Sequence, residues 1–408
     1  MKPIAIIGGG LTGLSCAYHL NKAGIDYRIY EKENEIGGRL RTESIDGFTI
    51  DRGFQVYLTA YPEGKKVLDY EALDLKTFDP GAIILQESGS QDMIYDPLRM
   101  PSKFMTSFRA DVGSFWDKFK ILSLRSSVLK DRLEMMFEKD RGSTMEFLTS
   151  FGFRPKMIER FFKPFYGGIF LEDDLVTDAR MFRFIYRMFS LGHAALPKNG
   201  MKEIPLQLAK TLDSSKIITG ASVNKITDNE LEIEGENAIS FDHCVLAVEG
   251  DSASYLTGNS KLNKEYVSST QFYFKASERP YSEKLIALNS SASKVVNNIC
   301  VLNNIVEAYA QSGNLISCTV LGDKENKVGE KMVLDDLKKW YPEAENWELI
   351  KRIPIRYSLP DQKKVNYSKE AQVVGNKVIA GDFIQNGSIN NALKMGAAAA
   401  EKIVNLQG

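Results

Sequence analysis

The stretch IIGGGLTGL, which begins at Ile6, constrains the fold of this chain more than any other. Gly8, Gly10 and Gly13 stand in the spacing G-x-G-x-x-G between an apolar, β-branched run and a helical pattern. Glycines at these positions allow a tight turn, close approach of the backbone to a pyrophosphate, and close packing of helix on strand. The N-terminus of the helix adds N–H groups and partial positive charge for phosphates. The stretch predicts a dinucleotide-binding loop.

A second strand-like run carries the acid that such a loop needs. The segment DYRIYEK places Glu31 about 20 residues beyond the loop, where a carboxylate binds ribose hydroxyls. A carboxylate rather than an arginine at this point argues against a 2′-phosphate. Glycine-rich turns also occur for packing reasons, so the interpretation depends on the order strand, helix, acid.

The composition is that of an ordinary soluble globular protein with room for two domains. The chain has 408 residues, of which 43% are hydrophobic and 26% charged, and its formal net charge is −1. Without a basic excess, we expect no nucleic-acid partner. No run of about 18 apolar residues predicts a membrane-spanning helix. Lys2 precedes an apolar run, but three consecutive glycines and a second strand argue against a signal peptide.

The cysteines and histidines indicate a reduced compartment and no metal. The four cysteines are widely spaced and form no C-x-x-C pair, which favours buried thiols and a cytoplasmic location. No two histidines have metal-ligand spacing, so no metal site is predicted. These residues are Cys16, Cys244, Cys300 and Cys318, and His19, His193 and His243.

Shifts in pattern along the chain indicate an α/β nucleotide-binding domain that a second domain interrupts twice. A helical block rich in aromatic and basic residues follows the first strands, and strand patterns alternate with polar turns further on. We predict a nucleotide-binding domain from 1–75, 200–250 and 355–408. The substrate-binding domain, which is α+β with a helical insert, is predicted from 76–199 and 251–354.

Two motifs give the chain a family resemblance. EIGGRLRT contains Gly38 and Arg39, and VIAGDFIQNGSINNAL contains Gly381 and Asp382. The chain resembles the flavoproteins with two dinucleotide-binding folds, the superfamily of flavin amine oxidases, protoporphyrinogen oxidases and phytoene desaturases, and among these the desaturase-like bacterial members. In that family a G-G-R-x-x-[ST] segment adds an arginine to the pyrophosphate, and a late Gly-Asp pair contacts phosphate and ribitol. An arginine also offers a planar fork to a diphosphate.

The resemblance implies that the dinucleotide is FAD. LPKNGMKEIPLQLA matches a family turn, and ASVNKI matches the strand in which a valine, here Val223, meets adenine through its backbone. No family-type cysteine for covalent attachment is found, so non-covalent FAD is expected. The helix that opens near Ser388 and Ile389 would face the flavin and favour its reduced, anionic form. The predicted cofactor-binding residues are Gly8, Gly10, Leu11, Thr12, Gly13, Glu31, Lys32, Gly38, Arg39, Val223, Gly381, Asp382, Ser388 and Ile389.

The helical insert contains an unusual density of aromatic residues, which predicts a helical core for most of them and a lipophilic tunnel for the rest. KPFYGGIF and GFQVYLTAYPEG resemble the desaturase and protoporphyrinogen-oxidase branch. The resemblance implies an FAD-dependent oxidoreductase that removes hydride from carbon of a bulky, apolar polyene or porphyrinogen. The aromatic residues of the helical insert are Phe104, Phe108, Phe115, Trp116, Phe119, Phe161, Phe162, Phe165, Tyr166, Phe170, Phe182, Phe184 and Phe189.

Three alternatives stay open at this stage. The first is a flavin amine oxidase, for which Lys275, Lys363 and Lys364 are loose candidates for the lysine that many such enzymes hold near the flavin. The second is a redox-neutral isomerase that works through reduced FAD. The third is a flavin-bearing binding protein without turnover. The sequence identifies no catalytic side chain and no oligomeric state.

The helical insert also carries positive charge. Residues 99–132 contain eight basic and three acidic residues, and Arg180, Arg183 and Arg187 form a further stripe at helical spacing. The stripe predicts either a solvated helix face or a surface that rests on anionic lipid and draws an apolar substrate from the bilayer. Peripheral membrane contact is therefore an expectation to test.

Overall fold

The computed structural model describes residues 2–235, 237–323, 325–363, 365, 367 and 370–407. Its strands, in chain order, are β1 (Ile4–Ile7), β2 (Tyr27–Glu31), β3 (Thr42–Ile45), β4 (Phe48–Asp51), β5 (Tyr57–Leu58), β6 (Lys76–Thr77), β7 (Gly81–Leu85), β8 (Gln91–Tyr95), β9 (Ala194–Leu196), β10 (Ile217–Thr219), β11 (Val223–Ile226), β12 (Glu230–Ile233), β13 (Ile239–Ser240), β14 (Cys244–Leu246), β15 (Tyr266–Ala276), β16 (Ile286–Asn289), β17 (Asn298–Val301), β18 (Asn314–Leu321), β19 (Glu348–Pro360), β20 (Gln372–Val374) and β21 (Lys377–Ile379). Its helices are α1 (Leu11–Lys22), α2 (Gly64–Val67), α3 (Phe104–Arg109), α4 (Phe115–Lys130), α5 (Thr144–Ser150), α6 (Pro155–Met157), α7 (Lys163–Phe170), α8 (Ala179–Leu191), α9 (Glu203–Ala209), α10 (Gly250–Thr257), α11 (Leu302–Ile305), α12 (Glu330–Leu337) and α13 (Ile389–Gln407).

A six-stranded sheet of order β10-β2-β1-β14-β21-β20 forms the nucleotide-binding layer. Its first five strands run parallel, and β20 closes the edge antiparallel to β21. All four residues of β1 are buried because helices and loops cover both faces of such a sheet. The carboxyl ends of β1, β2, β14 and β21 therefore meet along one edge, where a parallel α/β sheet binds its ligands. The predicted α/β fold with a parallel nucleotide-binding sheet is confirmed.

The last helix packs directly on the first. The Ser15 hydroxyl of α1 donates to the Leu393 carbonyl of α13 at 2.8 Å. A Cβ at Gly396 would lie 2.4 Å from the Thr12 carbonyl oxygen, so α13 approaches α1 as closely as a glycine permits. The two ends of the chain thus build one layer beside the parallel sheet.

A seven-stranded sheet of order β19-β15-β18-β17-β16-β7-β8 forms the second layer. Its pairs are antiparallel except for β16 with β7. Alternation along β15 puts Phe272 and Phe274 into an apolar core with α12, while Gln271 and Tyr273 point to the opposite face. Residues before and after the helical block contribute strands to this sheet, and the domain boundaries given above remain predictions.

The three arginines of the basic stripe on α8 make internal contacts. The prediction that this stripe forms a solvated face or a lipid-binding surface is therefore wrong. Arg180 pairs with Asp178 at 2.5 Å, and Arg183 is only 2% exposed and pairs with Asp131. Arg187 donates to the carbonyls of Val128 and Asp131. The three guanidinium groups hold α8 against its neighbours, because only charged or carbonyl partners make a buried arginine tolerable.

The aromatic residues of the helical block fall into two groups. Those on α7, on α8 and on the helical turn that precedes α7 build the predicted core, in which the rings of Tyr166 and Phe182 lie 4.6 Å apart and Phe162 is fully buried. Those on α3 and α4 are instead 43–64% exposed, which the sequence pattern did not predict. The core prediction holds for the second group of helices only.

Asp51 joins three parts of the molecule at the end of β4. Its carboxylate accepts from the Thr42 hydroxyl at 2.5 Å and from the Met201 N–H at 2.9 Å. The Tyr309 hydroxyl donates to the same carboxylate at 3.4 Å, and the Tyr273 hydroxyl donates to the Asp51 carbonyl at 2.8 Å. Burial raises the pKa of the Asp51 carboxyl to about 6 despite these hydrogen bonds.

We expect the Asp51→Asn variant to lose part of the pH dependence of stability. The folded protein binds this proton more tightly than the unfolded chain, because the folded pKa is raised. The free energy of unfolding of the wild type should therefore rise by about 1 kcal/mol from this group as the pH falls from about 7.5 to about 5.5. Denaturant titrations at both pH values measure the effect. Identical pH slopes in the two proteins would contradict it.

Candidate cofactor and substrate site

The glycines of the first loop serve two different purposes. Gly8 has φ +104°, and a Cβ there would lie 2.4 Å from the Ala247 carbonyl oxygen. A Cβ at Gly13 would lie 2.0 Å from the Gly8 carbonyl oxygen, whereas a Cβ at Gly10 would meet only the Cα of Gly38, at 3.9 Å. Gly8 and Gly13 are thus required by packing, and Gly10 faces open space. Among the residues that the structure describes, no side chain caps α1 after Gly10, which leaves its first N–H groups to a ligand.

Glu31, at the end of β2, is buried and holds the loop in place. One of its carboxylate oxygens accepts from the Gly9 N–H at 2.6 Å and the other from the Glu33 N–H at 3.0 Å. An ionised carboxylate offers about four acceptor positions, so hydroxyl groups of a ligand still find partners here. The sequence indicated the ligand-binding role and missed the structural one.

Arg39 and Asp382 meet across the cleft at 2.5 Å. The other terminal nitrogen of Arg39 donates to the Ser358 carbonyl at 3.2 Å. Burial lowers the pKa of the Arg39 guanidinium, but the nearby acids, Asp382 first among them, outweigh burial and keep the pKa above its usual value. The pair places the Arg39 guanidinium, in the loop that follows β2, beside Asp382, in the turn that follows β21.

The segment that leads into α13 is fixed by its own side chains. The Ser388 hydroxyl accepts from the Asn391 N–H at 3.0 Å and donates to the Asn386 amide oxygen at 2.7 Å. The Asn391 amide donates to the carbonyls of Asp382 and Asn386. The Gly-Asp turn is therefore tied to the N-terminus of a 19-residue helix, whose partial positive charge suits an anionic group.

These elements line one cavity of about 1080 Å³. Thirteen of the fourteen predicted cofactor residues border it, and Gly13 does not because it packs against Gly8. The same cavity continues into the helical block. There it is bordered by Phe104, Phe108, Phe115, Phe119, Phe161, Phe165, Phe170 and Phe189.

Sequence reasoning missed a polar wall that β15 contributes to the cavity. The Ser269 and Ser358 hydroxyls lie 2.9 Å apart, next to the carbonyl that holds Arg39. The Gln271 amide oxygen accepts from the Phe54 N–H at 3.2 Å and from the Thr319 hydroxyl at 3.0 Å. Ser269 and Gln271 share one face of the strand because they are two residues apart, but the continuous polar run SSTQ conceals this alternation in the sequence.

The histidines and the candidate amine-oxidase lysines differ in whether they reach the cavity. His193 does, and burial together with Arg99 lowers its pKa. Lys275 lies near Glu348 and Lys363 near Asp361, and neither borders the cavity. Lys364 lies outside the described residues. Neither Lys275 nor Lys363 is therefore placed to act as the lysine that many amine oxidases hold near the flavin.

Membrane-spanning helices and metal-binding clusters are both absent from the described part of the chain. No helix there is long and apolar enough to cross a bilayer. No group of three or more His, Cys, Asp or Glu side chains there is arranged to hold a metal ion.

A parallel sheet with a glycine loop at its carboxyl edge is the arrangement typical of dinucleotide-binding folds, here with a second sheet beside an apolar compartment. Residues 11–404 match the sequence profile of the flavin containing amine oxidoreductases. The chain therefore belongs to that family, and its cofactor is a flavin.

Similar proteins differ in their substrates. The chain is 37% identical over 133 residues to the carotenoid 3,4-desaturase of Haloarcula japonica, a match that covers 30% of this chain and 26% of the relative. It is 26% identical over 167 residues to protoporphyrinogen oxidase 2 of Arabidopsis thaliana, which covers 41% and 32%. The matches thus span less than a third of either relative. A solved putrescine oxidase superposes with a TM-score of 0.73 at 16% identity, over 99% of both chains, and shows a shared fold.

Two alanine substitutions should separate the roles of the loop glycines. Gly13→Ala forces a Cβ into the Gly8 carbonyl, so we expect the free energy of unfolding to fall by about 1–3 kcal/mol. Gly10→Ala should change it by less than about 1 kcal/mol, since its Cβ enters open space, and should weaken flavin retention instead. Denaturation of flavin-free protein and flavin titration measure the two effects. Equal destabilisation by both variants would contradict this division.

Proposed function

We propose that the protein is an oxidoreductase that binds FAD non-covalently and removes hydride from a carbon of a bulky, largely apolar substrate. The observation that carries the proposal is the single cavity of about 1080 Å³, which joins the nucleotide cleft to a compartment bordered by eight phenylalanines. A flavin held in the cleft and an apolar molecule in the compartment would share this one space. Proximity of that kind is the main requirement of hydride transfer.

The residues present fit FAD rather than a mononucleotide. Glu31 and the backbone of Val223 would hold the adenosine end. The α1 N-terminus beyond Gly10 and the guanidinium of Arg39 would hold the diphosphate, as a planar donor pair suits two phosphate charges. Asp382 would accept from hydroxyl groups of the ribityl chain. If the cofactor were a mononucleotide, Glu31 and the backbone of Val223 would have no adenosine group to bind.

The cysteines support non-covalent binding. All four belong to the described part of the chain, all are buried, and none borders the cavity. Burial also raises the pKa of each thiol, which keeps the reactive thiolate form scarce.

When bound, FAD supplies the hydride acceptor, and the side chains of this protein prepare the surroundings. The phenylalanines hold an apolar substrate beside the cleft. The N-terminus of α13, capped by Ser388, offers partial positive charge that stabilises a developing anion. Burial and Arg99 lower the pKa of His193, and we assign this residue no proton transfer.

The names of the relatives agree with an apolar substrate. One is named as a desaturase of carotenoids and the other as an oxidase of protoporphyrinogen. The putrescine oxidase likeness concerns the fold, and Lys275 and Lys363 lie away from the cavity. Amines are the alternative substrate class, which the flavin-bleaching experiment described next distinguishes from polyenes and porphyrinogens.

Anaerobic bleaching of the bound flavin should distinguish these substrates. We expect polyenes or porphyrinogens to bleach it and putrescine or aromatic amines to leave it oxidised, because the compartment is apolar. In the His193→Ala variant, the rate of flavin reduction should stay within about tenfold of the wild-type rate, since a general acid–base role contributes a factor of about 10²–10⁴. Rapid bleaching by amines alone would overturn the substrate class, and a thousandfold loss in His193→Ala would identify a proton-transfer residue.

Flavin retention tests the nucleotide assignment through Arg39. Arg39→Met should weaken retention by about 1.5–3 kcal/mol, the value of a charged hydrogen bond, while Arg28→Met, at an exposed site on β2, should not. The double variant Arg39→Met/Asp382→Asn removes the buried unpaired carboxylate and should recover stability without recovering retention. Acid precipitation followed by chromatography identifies the flavin. FMN in the supernatant, or full occupancy in Arg39→Met, would refute the assignment.

A further inference from the structure

We propose that the protein docks on anionic bilayers through an aromatic patch on α3, α4 and the preceding turn, and that this patch is the entrance for an apolar substrate. The patch consists of seven large apolar side chains that are 43–64% exposed: Leu98, Phe104, Met105, Phe108, Phe115, Trp116 and Phe119. An apolar area of this kind marks an interaction surface, since monomeric proteins seldom expose one without a partner.

The aromatic rings of the patch touch one another. Phe108 lies 6.0 Å from Phe104 and 5.6 Å from Phe115, and Phe119 lies 4.6 Å from Phe115. Trp116 lies 5.8 Å from Phe115 and is the most exposed residue of the patch, at 64%. Further along α4, Leu124 and Val128 are fully buried. Only the first turns of α4 therefore present an apolar face, as expected for a helix end that dips into an interface.

The charge around the patch is positive. Lys103 and Arg109 are exposed on the same segment. Its acidic neighbours are engaged elsewhere, because Asp111 is held by basic side chains of the following helices and Asp117 is buried in the capping box of α4. Aromatic side chains flanked by basic ones suit the interface of a bilayer with anionic headgroups.

The cavity distinguishes a bilayer from a protein partner. Phe104, Phe108, Phe115 and Phe119 belong both to the patch and to the wall of the cavity, which continues to the glycine loop. A protein seated on the patch, including a second copy of this chain, would close that entrance. A bilayer leaves it open towards the hydrocarbon, from which an apolar molecule can enter without crossing water.

Vesicle binding tests the proposal independently of the reaction. Leu98, Met105 and Trp116 are exposed but do not border the cavity, so the triple variant Leu98→Gln/Met105→Gln/Trp116→Gln leaves the site unchanged. We expect it to partition at least about tenfold more weakly than wild type into phosphatidylcholine vesicles that contain phosphatidylglycerol. The control Tyr255→Gln/Met332→Gln/Leu406→Gln changes three exposed apolar residues on α10, α12 and α13 and should bind like wild type.

Tryptophan fluorescence locates the contact. The chain has three tryptophans, of which Trp116 is exposed and Trp340 and Trp347 are buried. Lipids brominated in their acyl chains should therefore quench the wild-type emission and leave that of Trp116→Phe unchanged, although this variant still binds. Lys103→Glu/Arg109→Glu and added salt should each weaken binding.

Three outcomes overturn the proposal. The first is wild-type protein that fails to sediment with anionic vesicles, and the second is a patch variant that binds as tightly as the control. The third is a concentration-dependent dimer that the patch variant abolishes, because the patch would then be an interface between copies. Flavin content, measured in each variant, shows that the site itself is intact, so failure here leaves the proposed reaction untouched.

Discussion

The ion pair between Arg39 and Asp382 is the contact on which the rest of the site depends. It joins residues 343 positions apart, in the segments that follow β2 and β21 of the parallel sheet, with a donor–acceptor distance of 2.5 Å. Through the Ser358 carbonyl, Arg39 also holds β19, and the Ser358–Ser269 contact continues to β15. Removal of Arg39 would leave the Asp382 carboxylate buried without its ion-pair partner, which costs far more than the pair itself contributes. The two sheets thus meet at the position where a diphosphate would bind.

This arrangement explains why one side of the cavity is polar and charged while the other side is apolar. Its nucleotide side consists of glycines, helix N-termini and charged groups at the carboxyl ends of parallel strands, where polar ligands find N–H donors. Its other side consists of phenylalanines from helices that approach the second sheet. The polar wall of Ser269, Gln271 and Thr319 separates the apolar compartment from the backbone beneath it. A redox cofactor and an apolar substrate can then meet in one continuous space.

The sequence predicted those features that arise from local chemistry. The loop glycines, Glu31, Arg39 and the Gly-Asp turn lie within short motifs, and the structure gathers them as expected. The sequence could not predict what depends on distant partners. Spacing put Arg183 on one side of α8, but its burial depends on the helices packed around it, and its ion-pair partner, Asp131, lies 52 residues away in the sequence. Likewise, the aromatic residues of α4 resemble a core stripe, and they are exposed because no other described element covers that end of the helix.

The central claim is that a flavin and an apolar substrate occupy one continuous cavity organised by Arg39 and Asp382. A crystal structure of the flavin-loaded protein tests it most directly. We expect density for FAD with its diphosphate within hydrogen-bonding distance of the Arg39 guanidinium and the first N–H groups of α1, and with its ring system bordering the phenylalanine compartment. A flavin bound elsewhere, or a ring system separated from that compartment by protein, would contradict the account.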